Sequence, residues 1–561
     1  MTTWLHTRVR AAREGDAGMG MITVVIAMTL FMLLSVVVLS QAVGSQTLAR
    51  SDQDTSTALY AAQAGIEHYI TKLNNEDTYV QYDGKTKTDP NNGAMGSTAG
   101  KRNWLTVPQA SGAAGRAKFH YELDLRYYAG GVDSAGKVIP ATGTIKVTST
   151  GWAGKRKRTL TADVRRDGFL DNLYYSDFET KDPDAYVDSV DGNTAAWAKT
   201  NCADKYYYTG RNKSCINIQF ANDRLSGPVH SNDAILICNN AVFSADVTTV
   251  WSGRRRTDGC SSTSGTTFKN PTDPRVVARV DLPATNNELK AQTLSTTYPR
   301  GCLFVGETKI VVKGNQLKIT SPWTRDTPVC KKDTWIPIPA NGVIYVDNAV
   351  TGTAGDPNNW TSAETKPCTV GANANSVGYP VVNESGWAYK CSQGDVFIQQ
   401  ENGDAANGLD GRLTVAAKGN VYLTGNLQYK AGTDTDVMGS MLGLIADNNV
   451  YYWHPVDSGG KNLSVAGTSF TNRSVDAALL SVQHSVTTMN YASGTSLGTL
   501  NIRGNLTQKY RGIVKRGTAG YDKNYAFDWR LQLAAPPHFI EPTVSQFDAK
   551  RVTEIAADTA S

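Results

Sequence analysis

A long segment without charge near the N-terminus constrains this chain more than any other feature. No charged residue occurs between Ala17 and Ala49, and Met19 to Leu39 is almost continuously apolar. About 20 apolar residues are enough to cross a bilayer as a helix. The segment therefore predicts a transmembrane helix over residues 19–45. The chain has 561 residues, which is enough to bury more than one core outside the membrane.

The charges on either side of this segment predict its orientation. Arg8, Arg10 and Arg13 precede it, and the first acidic residue after it is Asp52. The positive-inside rule places the arginines in the cytoplasm. We therefore expect a cytoplasmic leader over residues 1–18 and a single-pass membrane protein with an extracytoplasmic head.

A cleaved secretory signal is the alternative, because Ser40-Gln41-Ala42 fits a small-x-small cleavage pattern. The helical pattern does not stop there, however, and no proline occurs before Pro90. Apolar residues continue at steps of three and four: Leu59, Ala62, Ile66, Tyr69 or Ile70, and Leu73. A single helix from Met19 to Leu73 would be roughly 80 Å long. Such a helix, apolar all round and then amphipathic, is typical of an anchor that continues into a folded head.

Two sequence segments, Gly15–Met21 and Ala61–Glu67, resemble the N-terminal region of type IV pilin-like proteins. The closest likeness is to PilX-type minor pilins, and it covers about residues 15–73. The resemblance implies that a prepilin peptidase cuts after Gly18 and that Met19 becomes the methylated first residue. It also implies that the helix assembles with other pilin-like subunits. The chain departs from the family at Met19, where Phe is usual, and at Thr23, where Glu is usual.

The region after the helix contains alternating apolar residues that predict strands. Phe119, Tyr121, Leu123, Leu125 and Tyr127 alternate with mostly polar residues, and two further strands are predicted around residues 145–147 and 160–164. The resemblance implies a small pilin-like α+β unit over residues 46–168. Its helix would be followed by a three-stranded antiparallel sheet.

From Phe169 onward, short apolar runs recur, and each follows a pair of turn residues. Examples are Gly394-Asp395, Gly419-Asn420 and Asn448-Asn449. Asn and Gly accept left-handed backbone angles and can turn a chain between short strands. The pattern predicts a mainly β fold with a β-rich extracellular head over residues 169–535 and a C-terminal cap and tail over 536–561. A right-handed parallel β-helix over about 220–515 is favoured, and a β-sandwich assembly is the alternative.

The cysteines indicate an oxidising compartment. None belongs to a C-x-x-C pair, which argues against zinc and thioredoxin-like chemistry. An even number outside the membrane favours disulfides between sequence neighbours, whereas reduced, buried cysteines are the alternative. The eight candidates are Cys202, Cys215, Cys238, Cys260, Cys302, Cys330, Cys368 and Cys391.

No motif in the sequence indicates catalysis. Gly494–Gly498 matches G-x-S-x-G, but it lies in a turn between strand-like segments and not at a strand-to-helix elbow. Acidic residues are dense between Asp171 and Asp191 without the spacing of an EF-hand loop. The carboxylates considered for a glycosidase site are Asp233, Asp395, Asp410 and Asp447. We therefore expect no catalytic, metal-binding or cofactor-binding residue.

The sequence thus predicts a large minor pilin-like subunit of a bacterial surface filament, located at the cell surface. Its expected partners are the membrane, other pilin-like subunits, prepilin peptidase and a surface or glycan ligand of the head. The net charge of +5 and the basic turn Lys155–Arg158 do not favour nucleic acid as a partner. Thr23 and the size of the head favour the filament tip. The alternative function is a membrane-tethered enzyme that acts on extracellular polysaccharides.

Overall fold

The computed structural model describes two compact units. The described residues are 19–85, 87–108, 116–129, 131–132, 138–139, 143–166, 168–294, 299–324, 326–349, 377–385, 387–435, 439–465, 471–540 and 546–556. Unit 1 draws on Met1–Leu123, Val147–Ala162 and Val552–Ser561, and unit 2 on Asp124–Lys146 and Asp163–Arg551. The chain is mainly β with one long N-terminal α-helix, which confirms the predicted fold class. The domain boundaries drawn from the sequence stay predictions.

The helices of the described residues are one long element and several short ones. The α-helices are α1 (Met19–Asn75), α2 (Arg126–Ala129), α3 (Asp188–Asp191), α4 (Ala195–Asn201) and α5 (Asn287–Leu294). Single 3₁₀ turns lie at Asp77–Gln81, Phe169–Asp171, Pro183–Ala185, Tyr207–Thr209, Glu401–Gly403, Ala405–Asn407 and Trp529–Gln532.

The strands are numbered along the chain. Those before residue 170 are β1 (Ser97–Thr98), β2 (Lys101–Arg102), β3 (Leu105–Thr106), β4 (Ala117–Asp124), β5 (Gly131–Val132), β6 (Val138–Ile139), β7 (Ile145–Ala153) and β8 (Arg156–Arg166). Next come β9 (Tyr174–Phe178), β10 (Arg224–Ser226), β11 (Val229–Ser231), β12 (Ile235–Leu236), β13 (Val242–Phe243), β14 (Val247–Thr249), β15 (Arg255–Arg256), β16 (Thr267–Phe268) and β17 (Arg275–Val276). The remainder are β18 (Cys302–Val305), β19 (Thr308–Lys313), β20 (Gln316–Thr320), β21 (Trp335–Pro337), β22 (Val343–Asp347), β23 (Val396–Gln400), β24 (Arg412–Ala417), β25 (Val421–Leu423), β26 (Met441–Ala446), β27 (Val450–Tyr452), β28 (Ser474–Ser481), β29 (Val486–Thr488), β30 (Ser496–Tyr510), β31 (Lys515–Arg516), β32 (Ala519–Phe527) and β33 (Phe547–Ile555).

The first part of α1 presents apolar side chains on every face. Between Met21 and Leu39 these side chains are roughly half to three-quarters exposed. Its hydroxyl groups are satisfied within the helix, because Thr29 and Ser35 donate to carbonyl oxygens one turn back at 2.9 Å and 2.7 Å. By length and composition, the helix is long and apolar enough to cross a membrane.

The second part of α1 is buried on one face against a sheet of unit 1. A Cβ built on Gly65 would lie 2.2 Å from Ser149 Oγ, and one built on Gly151 of β7 would lie 2.0 Å from the carbonyl oxygen of Ala58. Helix and strand approach this closely only because both positions lack a side chain. The buried apolar side chains of the helix are Ala58, Ala61, Ala62, Ile66, Tyr69, Ile70 and Leu73.

The sheet that packs on the helix has the order β3-β4-β7-β8-β33. The sequence predicted its strands β4, β7 and β8, whereas β3 was not predicted and β33 lies in the segment interpreted as a C-terminal cap and tail. The prediction was also too long at one end, because β4 stops at Asp124. The Asp124 carboxylate accepts a hydrogen bond from the Arg126 backbone N–H at 3.1 Å, which turns the chain into α2.

Unit 2 is built on two sheets between which the chain alternates. Sheet A has the order β16-β13-β10-β32-β30-β28-β26-β24-β22-β18, and sheet B has the order β21-β20-β19-β23-β25-β27-β29. From β22 to β30 each strand of sheet A is followed by one of sheet B. We call one strand of sheet A together with the following strand of sheet B a coil. Strands of successive coils pair in parallel, as β24 does with β26 and β25 with β27. A parallel β-helix requires such alternating, parallel pairing, whereas a sandwich would pair its strands antiparallel. The β-helix itself stays a prediction.

Equivalent positions of successive coils stack into continuous columns inside unit 2. One column through sheet A is defined by the strand register and consists of buried side chains. Its members are Cys302, Ile344, Val415, Leu444, Leu479 and Leu506. Since each coil buries its apolar side chains against the next, neighbouring coils stabilise one another.

The outer face of sheet A is covered by the segment around Pro536. The Arg412 guanidinium donates to the Ala535 carbonyl at 2.5 Å, and the Thr414 hydroxyl donates to the Pro537 carbonyl at the same distance. A Cβ on Gly443 of β26 would lie 2.5 Å from the Phe539 ring. Strands β24 and β26 are therefore buried on both faces, which explains why β26 is an apolar run and why the two polar side chains of β24 are bonded to the covering segment.

Candidate assembly helix and candidate ligand cleft

The start of α1 carries the residues that the resemblance assigns to processing. The helix begins at Met19, whereas Gly18 and the rest of the leader lie outside the described residues. Thr23 donates its hydroxyl to the Gly20 carbonyl oxygen at 3.0 Å. A side chain bonded in this way supplies no negative charge to a neighbouring helix, which a Glu at this position would.

Disulfides cross-link segments of unit 2. The bridges Cys202–Cys215, Cys238–Cys260 and Cys302–Cys330 join sequence neighbours, as the sequence predicts. Cys391 is also disulfide-bonded, and Cys368 lies outside the described residues. Each bridge closes a loop of modest length, which in the chain-entropy model stabilises the fold by about 3 kcal/mol.

A ladder of side-chain oxygens runs along the turn that leads into sheet B. Asp395 Oδ1 accepts the Asn420 N–H at 2.6 Å, and Asn420 Oδ1 accepts the Asn449 N–H at 3.1 Å. Asn449 Oδ1 then accepts the Ser485 N–H at 3.1 Å. Each rung satisfies a backbone donor that the turn would otherwise leave unpaired, and each ties one coil to the next. We call these four residues the turn ladder.

The first coils carry buried carboxyl groups where the later coils carry amides. Glu307 and Asp395 lie immediately before β19 and β23, and both are almost fully buried. Burial raises the pKa of Glu307 to about 8, and the nearby charge of Asp395 contributes to the shift. Burial likewise raises the pKa of Asp395 to about 7, against the hydrogen bonds from Asn420. Neither carboxyl is exposed at the surface of the unit.

Aromatic rings stack on the outer face of sheet B. The strand register places Phe397, Tyr422 and Tyr451 beside one another, and the segment before β23 adds Tyr379. The ring centroids are 4.2 Å apart from Tyr379 to Phe397, 4.6 Å from Phe397 to Tyr422 and 5.3 Å from Tyr422 to Tyr451. The next position in the register is Thr487, so the aromatic column ends at Tyr451. Tyr451 is partly exposed.

A cleft of about 350 Å³ opens where the aromatic column ends. Tyr451, Thr487 and Trp387 line it, and the Trp387 ring is turned by 84° against that of Tyr451 at a centroid distance of 4.9 Å. Its other walls carry amide and hydroxyl groups, among them those of Asn490 and Tyr491. Its size lies within the range of sites that hold small molecules.

The charged groups around the cleft are paired. Lys181 forms an ion pair with Asp191, and Arg511 donates to Glu179 at 2.5 Å. On the rim, Asp184 pairs with Lys199 at 2.7 Å. Burial lowers the pKa of Lys181, although Asp191 opposes the shift. These pairs leave the cleft with hydrogen-bonding groups of little net charge.

Asp182 and His484 form a further pair at this cleft. His484 Nδ1 lies 2.8 Å from Asp182 Oδ2. Burial disfavours the imidazolium, but the hydrogen bond and the charge of Asp182 outweigh it and raise the pKa of His484. The acidic stretch between Asp171 and Asp191 is thus largely used in ion pairs and hydrogen bonds of the fold. In the part of the chain that the structure describes, no group of three His, Cys, Asp or Glu side chains is placed to hold a metal ion.

The structure does not assemble the carboxylates considered for a glycosidase into one site. Asp395 belongs to the turn ladder. The other three are paired with basic side chains: Asp233 with Arg211, Asp410 with Lys430 at 3.1 Å, and Asp447 with Lys418 at 2.6 Å. Ser496, the serine of G-x-S-x-G, begins the parallel strand β30 and does not lie at a strand-to-helix elbow.

The comparisons with known proteins give little guidance. No family model matches the chain, and no curated protein matches it. Among solved structures, the chain is compared with the competence-associated pilin ComZ from Thermus thermophilus, which is 12% identical over 90% of this chain and 98% of that chain. The TM-score is 0.23, too low for the likeness to carry an argument about fold or function.

Sequence reasoning missed the cleft, although a signal for it is present. The triplets Asp395-Val396-Phe397, Asn420-Val421-Tyr422 and Asn449-Val450-Tyr451 share the pattern of a ladder residue, a valine and an aromatic residue. In a strand, residues two apart share a face. Each triplet therefore presents its ladder residue and its ring on the same face. The next triplet, Ser485-Val486-Thr487, has no ring at its last position, and this break marks where the cleft begins.

Proposed function

We propose that this protein is a membrane-anchored minor pilin-like subunit of a bacterial surface filament. Its head serves adhesion or display, and it occupies the filament tip. Prepilin peptidase removes residues 1–18 after Gly18, with the N-terminus on the cytoplasmic side. Assembly with other pilin-like subunits uses α1. The role is structural, and no enzymatic step belongs to it.

The division of α1 into two parts is the observation that carries this proposal. The first part exposes apolar side chains on all faces, and such a surface is stable only in a membrane or among other apolar helices. The second part is buried against its own sheet. A secretory signal would need no such continuation into a folded unit. The resemblance over about residues 15–73 supports the same conclusion.

Thr23 and the size of unit 2 support a place at the tip. In the family, the usual glutamate at this position is understood to neutralise the buried N-terminal ammonium of a neighbouring subunit. An unpaired charge in so apolar a place costs several kcal/mol, so a shaft subunit should keep the carboxylate. A tip subunit needs no pairing with a subunit above it, and a large head meets no steric limit there.

Mass spectrometry of the N-terminus tests the proposal most directly. We expect the mature chain to begin at a methylated Met19 when prepilin peptidase is present. Gly18→Val should block cleavage, whereas Gly20→Val should not, because an added side chain at Gly20 meets no atom within 4 Å. A mature chain cut after Ala42 would contradict the proposal. So would a chain that keeps residues 1–18 both with and without prepilin peptidase.

Immunogold labelling of filaments tests the location. Antibodies against unit 2 should mark filament ends, and Thr23→Glu should not be required for assembly. Uniform labelling along the shaft would contradict a tip position. Release of reducing sugar from polysaccharides by the purified full chain would instead support the alternative, a membrane-tethered polysaccharide-acting enzyme.

A further inference from the structure

The place where the aromatic column ends is shaped for one more flat ring. The rings of Tyr379, Phe397, Tyr422 and Tyr451 follow one another at centroid spacings between 4.2 Å and 5.3 Å. Phe397, Tyr422 and Tyr451 come from successive coils, so their spacings are close to the distance between neighbouring strands, and Tyr379 stacks on Phe397 from the segment before β23. On the following coil the register places Thr487, whose side chain is too short to cover Tyr451. The cleft therefore begins at the place where a fifth ring would stack.

The surroundings of this place determine what kind of ring fits it. Trp387 stands perpendicular to Tyr451, so a ring on Tyr451 would also contact the Trp387 side chain. Asn490, Tyr491 and Thr487 line the same cleft, and although each already makes a hydrogen bond within the fold, their side-chain oxygens can accept further ones. An aromatic face carries negative partial charge and attracts C–H groups, and the amides and hydroxyls suit a ring edge with many hydroxyl groups. A pyranose combines these two properties.

The charge distribution argues for a neutral sugar. Lys181, Arg511 and Asp184 line the cleft, and each is paired with a group of opposite charge: Asp191, Glu179 and Lys199, respectively. A phosphate, a sulfate or a uronic acid would have to compete with these carboxylates for the buried cations. That exchange would leave a buried charge without its partner, which costs several kcal/mol.

We propose that the cleft at the end of the aromatic column binds one pyranose unit of a neutral glycan, with the sugar ring stacked on Tyr451 beside Trp387. The cleft holds about 350 Å³, enough for a single sugar unit and part of the next one. The site is open, so the remainder of a chain would extend away from it. This inference rests on the proposed function and extends it, because it names the class of ligand that the head binds.

Calorimetry with defined oligosaccharides tests the site. The full chain is placed in phosphatidylcholine nanodiscs, which contain no sugar headgroup, and titrated with cellopentaose, maltopentaose, chitopentaose and mannopentaose. We expect at least one of them to bind with a Kd of about 1 mM or tighter, which is the range for a single shallow site. The absence of binding by all four up to about ten times that concentration would overturn the proposal.

Two variants locate the binding, and a third serves as a control. Thr487→Tyr supplies the missing ring from the protein itself and should weaken binding more than about tenfold. Trp387→Ala should weaken it by a similar factor. Trp529→Ala removes a tryptophan that is 53% exposed elsewhere in unit 2 and should leave the Kd unchanged. Hydrogen exchange of the β25, β27 and β29 peptides checks that the variants keep the coils.

The remaining outcomes also decide the question. Equal binding by the parent, Thr487→Tyr and Trp387→Ala would overturn the assignment to this cleft. Binding of adenosine monophosphate or of a tyrosyl-tyrosine dipeptide in place of the sugars would overturn the sugar class. Failure of the proposed function is recognised separately, because Met19 processing and filament labelling are measured without any sugar.

Discussion

Unit 1 and unit 2 form their packed cores in different ways. In unit 1 the helix backbone at Gly65 contacts the Ser149 side chain, and strand β7 at Gly151 contacts the helix backbone at Ala58. This packing is possible only because both glycines lack a side chain. In unit 2 an apolar column runs through successive coils, the turn ladder links the coils from β23 to β29, and disulfides cross-link the segments before them. We therefore infer that a single substitution lowers the free energy of unfolding more in unit 1 than in unit 2. In unit 2 a substitution removes only one of several independent contacts.

The largest effect is expected from Gly151→Ala in unit 1. The new Cβ would lie 2.0 Å from the Ala58 carbonyl oxygen and 2.4 Å from the Ala62 nitrogen, both backbone atoms of the helix. Since neither atom can rotate away, strand and helix must separate. We expect the free energy of unfolding of unit 1 to fall by about 4 kcal/mol. Hydrogen exchange of the α1 peptides after residue 55 should speed up accordingly.

The control for this change is Gly44→Ala, in the exposed part of the same helix. A Cβ at Gly44 meets no atom within 4 Å, and Ala is the better helix former. Exchange of the same peptides should be unchanged or slower. If Gly151→Ala and Gly44→Ala behave alike, the close contact between helix and strand does not stabilise unit 1.

Removal of one disulfide tests how far unit 2 relies on covalent links. Cys238 and Cys260 close a loop with a sequence separation of 22. The chain-entropy model gives about 3 kcal/mol for a loop of this length. We expect Cys238→Ala with Cys260→Ala to increase exchange in β13 to β16, and Ser252→Ala, on an exposed residue of the same loop, to have no effect. Loss of protection throughout unit 2 would show that the coils unfold as one unit.

Asp395→Asn should stabilise unit 2, and the effect should depend on pH. Burial raises the pKa of Asp395 from its ordinary value of 3.8 to about 7, so the carboxyl favours folding below pH 3.8 and loses this contribution as the pH rises to about 7. This increase in the pKa corresponds to roughly 4 kcal/mol of folding free energy. We expect about 2 kcal/mol of stabilisation at pH 8, because the amide accepts a weaker hydrogen bond from Asn420, and almost none at pH 4.

Thermal unfolding of the parent and Asp395→Asn at the two pH values measures this difference. Glu307 keeps its own pH dependence in both chains, since burial raises its pKa to about 8. Glu307→Gln is the companion variant and should shift stability in the same direction. A stability gain that is equal at both pH values would mean that Asp395 is not a buried carboxyl with a raised pKa.

The sequence predicted the parts of each unit that local patterns encode. The helix was predicted from its uncharged segment and its three- and four-residue steps, and the coils from turn pairs such as Gly419-Asn420. Strand β33 was missed, because Phe547–Ile555 is an edge strand with mostly exposed residues and shows no apolar alternation. The cleft was missed because it depends on register between coils, and register follows from contacts between residues far apart in sequence.

The smallest effect is expected from Asn420→Ala in the turn ladder. Asn420 Oδ1 accepts the Asn449 N–H at 3.1 Å, and its Nδ2 donates to Asp395 at 3.1 Å. The backbone bonds of β25 to both neighbours remain, so we expect a loss of only about 1.5 kcal/mol. Asn524→Ala is the matched control, since exposed Asn524 donates to the Asn501 side chain at 2.7 Å on strand β32, and it should cost about 0.5 kcal/mol. Urea unfolding of the full chain in nanodiscs measures both losses. If Asn420→Ala costs no more than Asn524→Ala, the ladder does not hold successive coils in register, and the contrast between the two units then rests on the apolar column and the disulfides.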